Sequence, residues 1–167
     1  MRRPLPPSFL TTPLAHRGYH NVALRRPENS LSAFRAAVEA GYGIELDVQL
    51  CADGQAMVFH DDKLDRMTGV PGAVMDHTAP ELGLVWLLDS DDKIPTLPEV
   101  LAVVAGRVPV LIEIKDRFDT MMTTDGRLEQ ATANALESYG GPVAVMSFNP
   151  HCVAEISRLA PQVPRGL

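Results

Sequence analysis

Ile44-Glu45-Leu46-Asp47-Val48-Gln49-Leu50 alternates apolar with polar side chains at every step, which is the two-residue period of a β-strand. Glu45 and Asp47 sit two apart and so leave the same face of that strand. Directly after it, Asp53-Gly54 makes a tight turn and Ala56 to Phe59 reads as the next strand. The link is too short for a crossover helix, so a hairpin and a tight connection both remain open. Upstream, Leu31, Phe34 and Val38 recur at helical spacing within Leu31 to Ala40, and Gly41 ends that helix. Pro13 to His16 forms a short strand before it.

The same alternation continues downstream. Thr96 is an N-cap, with Pro98 in the first turn of a helix that Val100 to Ala105 continues and Gly106 stops. Val108 to Ile114 is a strand, Asp116 to Asp125 a loop, and Arg127 to Tyr139 a helix closed by Gly140-Gly141. Val143 to Ser147 is a further strand and Cys152 to Leu159 a further helix, with Pro164 to Leu167 leading toward another strand. Residues 61–95 are less regular, holding a short helix within Pro80 to Leu88 and an acidic turn at Asp89 to Lys93. Strands alternating with helices argue for an α/β protein with a mainly parallel sheet. We read residues 1–12 as an irregular leader and 13–167 as a single domain.

Composition narrows the class of function. The chain of 167 residues is long enough for one sizeable core, and its net charge of −6 argues against a nucleic-acid partner. An anionic substrate is still compatible, because a bound metal ion can make a site locally cationic. Cys51 and Cys152 form no C-x-x-C pair, which speaks against a disulfide framework and fits the cytoplasm. Arg2 and Arg3 resemble the start of a signal peptide, but Pro4, Pro6, Pro7 and Pro13 break up the stretch where its apolar run would lie. No stretch approaches the ~20 apolar residues of a membrane span, so stable membrane insertion is not expected.

Polar residues collect at strand ends. His16 and Arg17 come directly after the first strand, His60 ends the third, and Glu113 and Lys115 repeat the two-residue spacing at the end of the fourth. In a parallel barrel the C-terminal rim is where side chains from several strands converge. Three carboxylates there, Glu45, Asp47 and Glu113, require a compensating cation. Oxygen ligands without cysteine favour a hard divalent ion, Mg²⁺ or Ca²⁺, over zinc. Two histidines suit acid–base work near neutral pH, while Arg17 and Lys115 offer N–H donors to a phosphate. Taken singly, each feature has an ordinary explanation: a Glu-x-Asp pair on a strand is most often a salt bridge, and a histidine after a strand is most often a loop residue. Four strand ends with compatible chemistry point instead to metal-assisted phosphate ester hydrolysis.

The sequence resembles the glycerophosphodiester phosphodiesterases, in particular the bacterial cytosolic type. The matching stretches begin with Ala15-His16-Arg17-Gly18, Pro27-Glu28-Asn29-Ser30, Glu45-Leu46-Asp47-Val48 and Asp53-Gly54. They continue with His60-Asp61-Asp62, Leu64-Asp65-Arg66-Met67-Thr68, Ile94-Pro95-Thr96-Leu97 and Glu113-Ile114-Lys115. This resemblance implies a (β/α)₈ TIM barrel, of which the chain holds roughly the first five to six strands. It implies hydrolysis of glycerophosphodiesters, small-molecule substrates, to an alcohol and sn-glycerol 3-phosphate. His16 and His60 would be the catalytic acid–base pair, Glu45, Asp47 and Glu113 the metal ligands, and Arg17 and Lys115 the substrate-binding cations. Phe148 would pack against the glycerol. Cys51 and Ser30 stand where threonine is common in the family. The family's late Trp-x-x-Asn motif does not occur in residues 1–167, so we expect a C-terminally truncated barrel with unpaired strand edges. Two alternatives are a phospholipase D-like lipid phosphodiesterase of the same superfamily, or a truncated, non-catalytic remnant.

Overall fold

The structure of the protein is a computed structural model that describes residues 3–116 and 121–167. Arg2 of the leader, and part of the loop expected over Asp116 to Asp125, lie outside the described residues. The leader carries a one-turn helix, α1 (Ser8–Thr11), and is not wholly irregular.

Strand β1 (Leu14–His16) pairs in parallel with β2 (Gly43–Leu50), and β2 pairs in parallel with β4 (Val110–Ile114). Beyond β4 lie β5 (Val143–Met146) and β6 (Arg165–Gly166), both parallel, giving the order β1-β2-β4-β5-β6 of a partial barrel. Helices α2 (Leu31–Ala40), α5 (Leu97–Val104), α6 (Arg127–Leu136) and α7 (Pro150–Leu159) form the connections. Their local signals are those the sequence supplies. The Ser30 hydroxyl caps α2 by accepting from Ala33 N–H, and Thr96 with Glu99 forms a capping box on α5.

Every residue of β2 is buried, as expected for a strand covered on both faces. Ile44, Leu46 and Val48 join the main core with Phe34 of α2, Val100 of α5 and Ile112 of β4. The alternate face carries Glu45, Asp47 and Gln49. β2 starts at a crowded point. A Cβ built on Gly43 would stand 2.4 Å from Leu14 Cδ2, 2.9 Å from Pro109 Cγ and 3.1 Å from Pro109 O, so a side chain there would push apart the segments that flank this strand.

The third strand resolves the open connection as a hairpin. β3 (Ala56–Val58) runs antiparallel to β2 and lies off the barrel path. The link over residues 51–55 is a tight turn, with Gly54 at φ +82°, and no parallel crossover fits in it. His60 therefore does not sit on a barrel strand end. It returns along a hairpin, and the Phe59 N–H bond to Asp47 O at 3.1 Å brings it back beside the middle of β2.

Residues 59–95 build a second core around Leu64, Val74, Leu82, Leu87 and Ile94, packed with Cys51, Met57 and Phe59. Its pieces are short: α3 (Asp65–Thr68), a 3₁₀ turn at Val74–Asp76 and α4 (Ala79–Leu82). Cys51 is one of its anchors, with its thiol donating to Asp53 Oδ1 at 2.8 Å across the turn.

Gly43→Ala is expected to destabilise the protein by about 1–3 kcal/mol through overpacking at the β1–β2–β4 junction. A thermal or urea melt indistinguishable from wild type would contradict that packing.

Candidate active site

Parallel pairing with matched register sets up the site. His16 lies opposite Glu45, and Asp47 lies opposite Glu113. Side chains at paired positions share a face, so three strands deliver these four groups to one place. Glu45, Asp47 and Glu113 each offer an oxygen within 4.8 Å of the others. Their burial is near complete, with 9%, 0% and 9% of the residue surface exposed.

Acids so close and so dry repel one another, and the surroundings answer that repulsion. Burial, then the neighbouring Asp47 charge, pushes the Glu45 carboxyl up to about 7, against the bond its Oε2 accepts from Arg17 N–H at 3.0 Å. Lys115 Nζ reaches Glu113 Oε1 at 2.6 Å and Asp47 Oδ1 at 2.8 Å. Arg17 Nε lies 3.3 Å from Asp47 Oδ2, and Asn29 Nδ2 donates to that oxygen at 2.8 Å. Asn29 also accepts from Asp47 N–H, and its φ of +55° is a conformation asparagine tolerates well.

A divalent ion fits this donor set. Asp47 Oδ1 is buried without an aligned hydrogen-bond donor, despite its ion contact with Lys115. Opposed oxygens around Mg²⁺ or Ca²⁺ stand roughly 4–5 Å apart, given bonds of about 2.0–2.6 Å. The three carboxylates could therefore hold one such ion.

The two histidines differ in setting. His16 is largely exposed, and its Nε2 stands 3.8 Å from Glu45 Oε2. His60 is half-buried, its Nδ1 lies 2.7 Å from Asp61 Oδ1, and its carbonyl accepts from Gln49 Nε2 at 2.9 Å. Asp61 is held down to about 2, chiefly by its hydrogen bonds from Arg66, which outweigh partial burial. Phe148, at the end of β5, is 69% exposed. A cavity of about 180 Å³ adjoins the site, bordered by Gln49, Asp62, Val74, Lys115 and Leu128. It includes neither histidine. The sequence alone attached no role to the Asn29 amide or the Arg66 guanidinium. Both stand in family-like stretches, but Asn29 bonds to Asp47, 18 residues on, and Arg66 joins nearby Asp61 to Glu28, 38 residues back along the chain.

The model of the glycerophosphoryl diester phosphodiesterase family matches residues 16–167. The chain belongs to that family. Among curated members, the glycerophosphodiester phosphodiesterase of Caldanaerobacter subterraneus is 34% identical over 170 residues, covering 94% of this chain and 66% of the relative. That of Bacillus altitudinis is 34% identical over 163 residues, covering 92% and 64%. The chain thus spans about two thirds of the length of these relatives. Among solved members, an Oleispira antarctica phosphodiesterase in complex with the product sn-glycerol-3-phosphate superposes with a TM-score of 0.81 at 26% identity, covering 95% of this chain and 67% of that one. The Thermotoga maritima enzyme gives 0.70 at 30% identity, covering 92% and 59%. No helix among the described residues is long and apolar enough to cross a membrane.

The raised Glu45 carboxyl gives a pH test with a definite sign. Its contribution to the stability of the metal-free protein is fully present below the unfolded carboxyl value and is lost as pH rises through about 7. A divalent ion held by Glu45 would have to displace that proton. The rise in melting temperature caused by saturating Mg²⁺ or Ca²⁺ should therefore grow between about pH 5.5 and 8, and a pH-independent rise would contradict this electrostatic picture.

Proposed function

We propose that this chain carries the catalytic groups of a phosphodiesterase that hydrolyses glycerophosphodiesters to an alcohol and sn-glycerol 3-phosphate. The observation that carries the reading is the convergence of Glu45, Asp47 and Glu113 beside His16, on the strand register of a family member. The product complex of the Oleispira relative supports a small glycerol phosphate as ligand.

In this reading Glu45, Asp47 and Glu113 hold Mg²⁺ or Ca²⁺. When bound, the ion neutralises the carboxylates and polarises a phosphate oxygen. Arg17 and Lys115 donate N–H groups to the other phosphate oxygens, Lys115 being freed for this once its two carboxylates are otherwise neutralised. One of the pair His16 and His60 takes the proton from the substrate's glycerol hydroxyl as that oxygen attacks phosphorus. The other protonates the oxygen of the departing alcohol. Water then opens the cyclic phosphate, with the proton transfers reversed, to leave sn-glycerol 3-phosphate. Cys51 and Cys152 are buried and unpaired, which is compatible with a reducing compartment, so we place the reaction in the cytoplasm.

Release of glycerol 3-phosphate from glycerophosphocholine tests this directly. His16→Ala and His60→Ala should each lower turnover about 10²- to 10⁴-fold while retaining the divalent-ion melting shift. Turnover within tenfold of wild type in either variant would refute the role given to that histidine.

A further inference from the structure

Arg66 takes no part in the proposed reaction and yet bonds to residues that serve both halves of it. It stands on α3, which the second core fixes: Leu64 is fully buried, the Thr68 hydroxyl donates to Leu64 O at 2.8 Å, and Leu88 N–H donates to Met67 O at 2.8 Å. From there its guanidinium forks between two carboxylates. Nε donates to Asp61 Oδ2 at 2.6 Å and Nη2 to Asp61 Oδ1 at 3.0 Å. Nη2 also donates to Glu28 Oε1 at 2.6 Å, and Nη1 to Glu28 Oε2 at 3.2 Å.

Each carboxylate passes the constraint inward. Asp61 Oδ1 lies 2.7 Å from His60 Nδ1 and, being ionised, can only accept there, so it selects the tautomer that keeps the proton on Nδ1 and leaves Nε2 facing outward from the pair. Glu28 Oε1 accepts from Arg17 Nη1 at 2.9 Å. Arg17 in turn binds the Glu45 and Asp47 carboxylates through its N–H and Nε.

We propose that Arg66 is a positioning residue, tying the His60 imidazole to the Arg17 guanidinium through Asp61 and Glu28 so that both face a single phosphate. An isolated surface ion pair would contribute little, but this one is bidentate on both sides and forms a network. It also gives the 59–95 excursion a function: that excursion carries Arg66 to a place no barrel strand reaches. Lysine cannot replace it, because one ammonium has no planar fork to span two carboxylates. The proposal rests on the phosphodiesterase reading only for its kinetic part.

The test compares Arg66→Met and Arg66→Lys with wild type by kinetics on glycerophosphocholine and by ¹⁵N NMR of the His60 ring. Both variants should melt cooperatively and keep the divalent-ion shift, since Arg66 touches none of the three acids. Their kcat should fall about 10- to 100-fold with little change in KM, and the His60 signals should change from a single Nδ1–H tautomer to a mixture. A single His60 tautomer in Arg66→Met, or a kcat in either variant within twofold of wild type, would overturn the proposal. If the wild-type chain releases no glycerol 3-phosphate, the functional reading fails, while the His60 tautomer still decides the role of Arg66.

Discussion

Repulsion among three buried carboxylates is the constraint on which the rest of the molecule depends. A pair of like charges at 4 Å costs roughly 4 kcal/mol even at an effective dielectric of about 20. Glu45, Asp47 and Glu113 stand within 4.8 Å of one another in a place that water scarcely reaches, and the Glu45 carboxyl answers by keeping its proton up to about 7. Only a rigid frame keeps them together, and the parallel register of β1, β2 and β4 provides one. Gly43 lets those strands close, and the Asn29 amide fixes the Asp47 carboxylate from outside the sheet. Lys115 and Arg17 supply compensating charge from two sides.

The second layer of organisation comes from the excursion between β3 and α5. A plain β/α unit would lead directly from a strand into its helix. Here the chain turns back beside β2, presents His60 and Asp61, and then forms a small core of its own. The small core and the salt-bridge network explain each other. Short helices around Leu64, Leu82 and Ile94 hold Arg66 at the distance its two carboxylates need.

Much of this was readable from local pattern. The alternation in Ile44–Leu50 marked the strand, and Gly41 and Thr96 marked helix ends, because period and capping are properties of neighbouring residues. Ends that depend on tertiary fit were less legible. Helix α5 stops at Val104 because Ala105 itself adopts a left-handed conformation (φ 49°), one residue before the glycine that marks the stop in sequence. The direction of β3 stayed open because a short link limits topology without choosing it, and with it whether His60 follows a barrel strand or a hairpin strand. Residue types nominated the three acids and the two cations, but the Asn29–Asp47 and Arg66–Glu28 bonds join segments far apart in sequence, and no local signal announces them.

Anomalous scattering from crystals soaked in Mn²⁺ tests most directly whether the three acids share one cation. The account requires a single strong peak about 2.0–2.6 Å from oxygens of Glu45, Asp47 and Glu113, with Lys115 Nζ displaced from its present contacts. A peak elsewhere, or none at this cluster at saturating Mn²⁺, would contradict it.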